Sequence, residues 1–328
     1  KEAKSSVAAF ITGDDFLYTL SEARQQLSGI LCFNMPSDEL LKKIADKYRQ
    51  YTLAYKAGID VPATWLLESA ESMEVLRTNE YWPLIIKGRD VNSWREVYGG
   101  TVKGFIVGNF QELIEKVMQP IKAGVPVIAQ EIIQGPDTNH YKYCAYISQN
   151  GETLAELTLR KIRQWPVRFG VGAVVESVQD RELTEAGRKF FKAIDYRGVG
   201  SAEFKWDERD DKLKLIDLNT RYWQQNALAE ACGVNFAYLH YQDLLGATPK
   251  SVLAQTDGIK WINRYMDLSS YLQYHREGLL SFRSWRKSLK GKKVYADFAW
   301  DDPLPAFSEI CFGMKIFRLP KYLRKRLF

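Results

Sequence analysis

Hydrophobic residues recur along this chain in two rhythms, and their order predicts strands and helices mixed throughout. A short apolar run at 7–11 reads as a strand. The turn Thr12-Gly13-Asp14-Asp15 follows it, and a helix runs through Ala23 to Leu27. Residues 31–33 supply a next strand. From 38 to 57 the positions Leu40, Leu41, Ile44, Tyr48, Tyr51, Leu53 and Ala54 keep helical spacing, and Gly58 is placed to cap the end. Strand–helix–strand order predicts a partial parallel unit over residues 1–45 whose first strand is missing. Residues 61–65 lead into a Glu-rich helix, and 82–88 read as an apolar strand that delivers Lys87 at its end.

The pattern then alternates more tightly. A polar loop punctuated by Gly88, Gly99 and Gly100 runs to Thr101, and its backbone N–H groups could face phosphates. Residues 125–134 form an apolar strand that leaves into Gly135-Pro136-Asp137. Residues 141–148 and 153–161 flank Asn150-Gly151, a strong hairpin signal. A loop with Pro166, Gly170 and Gly172 spans 164–172, and a helix covers 184–194 with Thr184 as its N-cap. Later helices are expected at 224–232, 261–278 and 279–289, and a strand at 293–300.

Residues 198–225 carry the chemistry most openly. Residues 200–206 and 212–219 read as two strands joined by the charged turn 207–211. With the turn centred near Asp210, Glu203 falls opposite Asp217. Side chains two apart share a face, so Asp217 and Asn219 point together. Two carboxylates and an amide suit Mg²⁺, which recruits substrate phosphates to complete its shell. Ile216 and Leu218, on the other face, are expected on a core. Arg221 follows and could meet a phosphate or carboxylate with its planar fork. Alone, the stretch is equally readable as a solvated acidic hairpin, and Lys87 as an ordinary edge-strand lysine.

Composition narrows little. The 328 residues carry a net charge of +6, 46% hydrophobic and 26% charged residues, which leaves anionic small molecules, membranes and nucleic acid all open. Cys32, Cys144, Cys232 and Cys311 are far apart without CxxC pairing, and the histidines are only His140, His240 and His275, so neither a structural zinc site nor a disulfide framework is expected. His140 reads as a satisfied strand histidine rather than a ligand. No apolar run is long enough to span a membrane, no signal peptide is visible, and a cytoplasmic location is expected. The chain lacks an initial Met, and truncation of a longer protein is one explanation. The tail has six basic residues, Lys315, Arg318, Lys321, Arg324, Lys325 and Arg326, interleaved with Ile316, Phe317, Leu319, Tyr322, Leu323, Leu327 and Phe328. Such a segment could rest on the anionic inner membrane face, or dock as a helix on its own domain.

Six blocks in order resemble the ATP-grasp superfamily, in particular its carboxylate–amine ligase-like branch. They are Asp46-Lys47, the strand ending in Lys87, Gln130-Glu131-Ile132-Ile133 with Gly135-Pro136-Asp137, Arg160-Lys161-Ile162-Arg163-Gln164, Ser201-Ala202-Glu203-Phe204, and Asp217-Leu218-Asn219-Thr220-Arg221. The resemblance covers about residues 38–247, and the chain is similar in outline to D-aspartate ligase-like proteins. The string Trp300-Asp301-Asp302-Pro303-Leu304-Pro305 resembles the tail of ATP-grasp proteins associated with surface polysaccharide.

The resemblance implies an α/β (α+β) ATP-grasp fold. Two lobes, 60–130 and 131–247, would clasp ATP within a domain spanning 46–247. A partial Rossmann-like βαβ domain (1–45) would precede it and a helical extension (248–328) would follow. Lys47 and Lys87 would touch ATP phosphates, and Lys161 the terminal phosphate. Gln130 and Ile133 would offer backbone groups to adenine with Glu131 beside them, and Asp137 would hold the ribose. Arg163 would meet the phosphate or the acceptor carboxylate, and Arg221 the acyl phosphate. Glu203, Asp217 and Asn219 would hold Mg²⁺, or Mn²⁺ in its place; Asp217 stands, with a shorter arm, where the family has glutamate. The implied reaction is attack of a carboxylate on the γ-phosphate of ATP, then displacement of phosphate by an amine. A nucleotide-binding scaffold without turnover is the alternative; nucleic acid is not an expected partner, since no reader motif accompanies the basic charge.

Overall fold

The computed structural model describes residues 7–99, 102, 104–299, 301–304 and 306. The basic tail, Cys311, Gly100, Thr101 and Trp300 lie outside the described residues.

The N-terminal unit has the expected parallel order. β1 (Val7–Ala8) pairs with β2 (Leu31–Cys32) in parallel, with α1 (Asp14–Glu22) and α2 (Arg24–Leu27) between them. The helix expected over 38–57 is two, α3 (Asp38–Ala45) and α4 (Lys47–Lys56). Asp46 breaks it: its backbone is extended and its carboxylate accepts from the Arg49 N–H, which caps α4. Lys47 is therefore the first residue of α4, and its side chain reaches Asp217.

A four-stranded antiparallel sheet follows in the order β3-β6-β4-β5. β3 (Thr64–Leu67) is a strand where a Glu-rich helix was expected; the helix, α5 (Ala70–Met73), starts later at the Ser69–Ser72 capping box. β4 (Leu84–Gly88) carries Lys87. The loop expected after it contains α6 (Val91–Tyr98), whose Trp94 is buried and donates to the Val102 carbonyl. β5 (Phe105–Val107), α7 (Phe110–Lys122) and the fully buried β6 (Val127–Glu131) complete the sheet. Leu84, Ile86, Trp94, Val107, Leu113, Val117 and Val127 form its core.

The larger sheet has seven strands. β7 (His140–Ile147) and β8 (Thr153–Trp165) form the hairpin that Asn150-Gly151 predicted, and β9 (Val171–Ser177) pairs with β8. α8 (Arg181–Ala193) starts earlier than expected because Asp180, not Thr184, caps it. β10 (Gly198–Asp207) and β11 (Lys212–Asn219) are the predicted acidic hairpin. α9 (Asn226–Ala231) and α10 (Phe236–Leu244) follow. The C-terminal part adds β12 (Lys260–Ile262) and the edge strand β13 (Lys293–Tyr295), with α11 (Arg264–Arg276) and α12 (Phe282–Ser288) between them. The order is β11-β10-β7-β8-β9-β12-β13.

Period-two alternation gives this sheet two apolar faces. One face holds Tyr143, Ala202, Phe204, Leu213 and Leu215 against α3, α4 and α8. The other holds Cys144, Tyr146, Leu157, Leu159 and Trp261 against α9 and α10. A register slip decides the fate of Asp217. Glu203 pairs with Asp217, but Phe204 pairs with Leu215, so Ile216 is an extra residue on β11. Without it, Asp217 would share the core face with Leu213 and Leu215. With it, Leu218 takes the core position and Ile216, expected there too, is only half-buried.

Gly187 lets α8 lie on β7, since a Cβ there would sit 2.3 Å from the buried Tyr143 ring. Gly187→Ala should lower unfolding stability by about 2 kcal/mol, because overpacking outweighs the roughly 1 kcal/mol of helix propensity gained. A denaturant midpoint at or above the parent value would show that the ring has room to move.

Candidate active site

The end of the seven-stranded sheet nearest the smaller sheet is polar on one face only. β10 places Ser201, Glu203 and Lys205 there, and β7 places His140 and Lys142 opposite Lys205 and Glu203. β11 adds Asn219 opposite Ser201 and Asp217 opposite Glu203. β8 adds Lys161, two residues beyond the core residue Leu159. Like charges directly opposite on neighbouring strands destabilise a sheet, so the Glu203/Asp217 pair needs cations.

It has them. Glu203 lies 2.9 Å from the Lys142 ammonium and 3.5 Å from that of Lys161. Burial alone would raise the Glu203 pKa; the two lysines outweigh it and hold the carboxyl well below the usual carboxylate range. Burial likewise opposes the Lys142 charge, but Glu203 keeps its pKa above the ordinary lysine value. Asp217 is ion-paired with Lys47, which it holds protonated against burial. The half-buried Asn219 side chain makes no hydrogen bond among the described residues, and the Ser201 hydroxyl across from it is buried without a partner. Among the described residues no group of three or more His, Cys, Asp or Glu side chains could hold a metal. Two carboxylates and one amide remain, a set that fits a hard cation needing oxygen ligands from its substrate.

The smaller sheet reaches the same place. Lys87 donates to the Gln130 side chain at 3.1 Å, and Tyr51 on α4 donates to the Ile216 carbonyl at 2.8 Å while lying 3.4 Å from the same Gln130 oxygen. Lys205 crosses to the carbonyls of Ile133 and Gly135 at 2.8 and 3.2 Å. Lys47, Lys87, Gln130, Lys161, Glu203, Asp217 and Asn219 are therefore brought together.

Other expected residues are engaged elsewhere. The backbone of Gln130 lies in a central strand between β3 and β4 and is used by the ladder, so it is not free for a base. The chain leaves the sheet only after Glu131, and the Ile133 carbonyl is taken by Lys205. Glu131 is a buried joint: it accepts from the Ala63 N–H at 3.0 Å and pairs with Arg209. The Asp137 carboxylate, expected to hold a ribose, is occupied by the Gln164 side chain at 2.7 Å and by the Tyr274 hydroxyl. Arg163, expected on a phosphate, is buried against the C-terminal helices, with Asp267 at 2.6 Å and Ser288 at 2.6 Å. Arg221 is bound to Asp14 at 2.8 Å and to its neighbour's carbonyl. Each is a planar or charged group whose nearest partner comes from a segment far away in sequence. A cavity of about 560 Å³ lined by Glu156, Thr158, Asp180 and Arg188 lies beside α8 and includes none of the residues brought together above.

Sequence reasoning missed Lys142, Lys205, Tyr51 and Tyr274. For Lys142 the alternation with Cys144 and Tyr146 on β7 gave its face, but its place opposite Glu203 depends on β7 pairing with β10, which follows only after β8, β9 and α8 and which no hairpin count supplies.

With this geometry in view, comparison with known proteins is informative. Residues 167–250 match the family model for the carbamoyl-phosphate synthase L chain, ATP binding domain. The biotin carboxylase domain of 2-oxoglutarate carboxylase from Hydrogenobacter thermophilus, solved with MgADP and bicarbonate, superposes with a TM-score of 0.60 at 19% identity, covering 74% of this chain and 55% of that one. The chain has the ATP-grasp fold. N5-carboxyaminoimidazole ribonucleotide synthetase from Thermus thermophilus gives a TM-score of 0.55 at 18% identity, over 72% of this ATP-grasp chain and 61% of the other. D-aspartate ligase of Enterococcus faecium (strain Aus0004) is 21% identical over 239 residues, 70% of this chain and 57% of that protein. The chain thus spans little more than half the length of that relative, and less of the other curated relatives it matches.

Two buried histidines predict the pH response of this ATP-grasp chain. His140 donates from Nδ1 to the Asp137 carbonyl and is pushed down to about 3, first by burial and then by Lys161 and Lys205. Burial pushes His240 down to about 4. Unfolded imidazoles titrate near 6.5, so the unfolded chain takes up protons that the native chain refuses. Stability is full above pH 6.5 and falls as pH drops toward 4, by roughly 3 kcal/mol between pH 6.5 and 5 for the two together. His140→Gln should remove about half of that drop in urea titrations, and equal stability at pH 7 and 5 would contradict it.

Proposed function

We propose that this chain is an ATP-dependent carboxylate–amine ligase, with the cleft between the two sheets as its nucleotide site. The observation that carries the reading is the charge balance. Lys47, Lys87, Lys142, Lys161 and Lys205 set their ammonium groups against only two carboxylates, Glu203 and Asp217, which leaves an excess of positive charge. Magnesium-bound ATP carries about two net negative charges at neutral pH, which would meet that excess. The D-aspartate ligase among the relatives supports an amine-bearing second substrate such as an amino acid.

In this reading Glu203, Asp217 and Asn219 would hold Mg²⁺, or Mn²⁺ in its place, which when bound would supply Lewis-acid neutralisation of phosphate charge. The lysines release their carboxylate partners and turn to phosphate oxygens. A substrate carboxylate attacks the γ-phosphorus and ADP leaves; an amine then attacks the acyl carbon and phosphate leaves. Phosphoryl transfer of this kind needs alignment and charge neutralisation rather than a protein nucleophile. Residues 46–247 would form the catalytic unit. The ribose role assigned to Asp137 would require Tyr274 to give up its hydrogen bond, and the roles of Arg163 and Arg221 would require their ion pairs to open.

A second reading, a nucleotide-binding scaffold without turnover, is favoured by Asp217, whose short arm is already paired with Lys47. Among the described residues no helix is long and apolar enough to cross a membrane.

ADP release with pooled carboxylates and amines separates the two readings. Glu203→Gln and Lys87→Ala should each cut turnover about 100-fold or more without loss of fold; parental rates in either variant refute the assignment. Lys142→Met should weaken ADP binding about tenfold in the presence of Mg²⁺, measured at a temperature where the variant is fully folded. Unchanged ADP affinity by calorimetry would make Lys142 a structural counter-ion only.

A further inference from the structure

The α11–α12 helix pair carries exposed side chains that neither the core nor the cleft uses. Tyr265, Leu268 and Leu272 recur at helical spacing on one face of α11, and all are exposed. Arg276 extends that stripe by one turn. Leu279, in the connection to α12, is 64% exposed, and Phe282, the first residue of α12, is 53% exposed.

The same region is strongly cationic. Arg276, Arg283, Arg286, Lys287, Lys290 and Lys292 are all exposed, and none forms an ion pair among the described residues. Glu277 is the only acid between 268 and 296, and it is paired with Arg168 at 2.7 Å. Other surface cations are matched to carboxylates, as at Arg181–Glu185 and Lys212–Asp60, whereas here six stand in one short stretch without such a match. Six cations without carboxylate partners together store repulsion that an anionic surface would relieve.

The inner side of the pair is firmly held, so the outer side is a presented face rather than a fraying end. Tyr271 stacks on Trp285 at 4.6 Å, and the buried Asp267 accepts from both Arg163 and the Trp285 indole at 2.6 and 2.9 Å. Arg286 lies 5.9 Å from the Phe282 ring centre, a cation beside an apolar tip.

We propose that this outer face docks on an anionic lipid bilayer. Leu279 and Phe282 enter the headgroup region while the six cations lie against acidic headgroups. The apolar tips select this partner. A nucleic acid would neutralise the cations but leave Leu279 in water. The surface belongs to described residues 265–292, a stretch that precedes the basic tail in the sequence. On its inner side the same helix, α11, holds Arg163 and Asp137 through Asp267 and Tyr274.

The test uses the full chain and co-sedimentation with two vesicle types, phosphatidylcholine alone and phosphatidylcholine mixed with phosphatidylglycerol. The chain should pellet with the anionic vesicles only, and less as salt rises. Arg283→Glu combined with Lys287→Glu should cut partitioning by about fivefold or more for each cation lost. Leu279→Ser, at an exposed position outside the packed interface, should also weaken binding and guards against misfolding of the first variant. Three results would overturn the proposal. The parent chain could ignore anionic vesicles at low salt. Both variants could bind as the parent does, which would assign binding to residues 311–328. An RNA oligonucleotide could compete fully while Leu279→Ser has no effect, which would make the face a nucleic-acid surface.

Discussion

Two carboxylates held side by side across one β-hairpin constrain the rest of this molecule. Glu203 and Asp217 are direct cross-strand neighbours, an arrangement a sheet tolerates only if cations stand close by. Those cations arrive from separate places: Lys142 from the adjacent strand, Lys161 from the next, and Lys47 from the first turn of a helix outside the sheet. The hairpin is thus a point where distant segments must converge. Removal of any one cation leaves a partly buried carboxylate short of compensation.

The convergence explains the joints between the parts. Lys205 reaches the carbonyls after β6, Arg209 reaches Glu131, and Tyr51 reaches the Ile216 carbonyl. Lys205 and Arg209 of the hairpin hold the end of β6 and the chain beyond it, and Tyr51 ties α4 to the hairpin while lying beside Gln130 of the smaller sheet. The C-terminal helices are joined in the same manner. Arg163 and Asp137, which a family pattern would reserve for substrate, are instead bound by Asp267, Ser288, Gln164 and Tyr274, although one terminal nitrogen of Arg163 is buried without a partner. Buried polar groups take the nearest partner, and in this chain that partner belongs mainly to the extension.

The Ile216 bulge joins fold to chemistry. Alternation in β11 places Leu213 and Leu215 on the core, and one extra residue transfers Asp217 to the polar face while Leu218 takes its place below. A bulge of this kind re-aims a side chain without breaking the strand.

The sequence by itself determined the hairpin, its Glu203–Asp217 register, the parallel N-terminal pair, and the strands bearing Lys87 and Lys161. These follow from turn chemistry and period-two spacing, which are local. It also contained six ordered blocks that marked the fold. Only the tertiary structure decided which charged residues are free to act. Arg163, Arg221, Asp137 and Glu131 have partners up to 207 residues away, and no local pattern encodes which long-range partner wins. The Asp46 break and the β11 bulge were hidden for a related reason: each is a single residue whose backbone geometry is fixed by what packs around it.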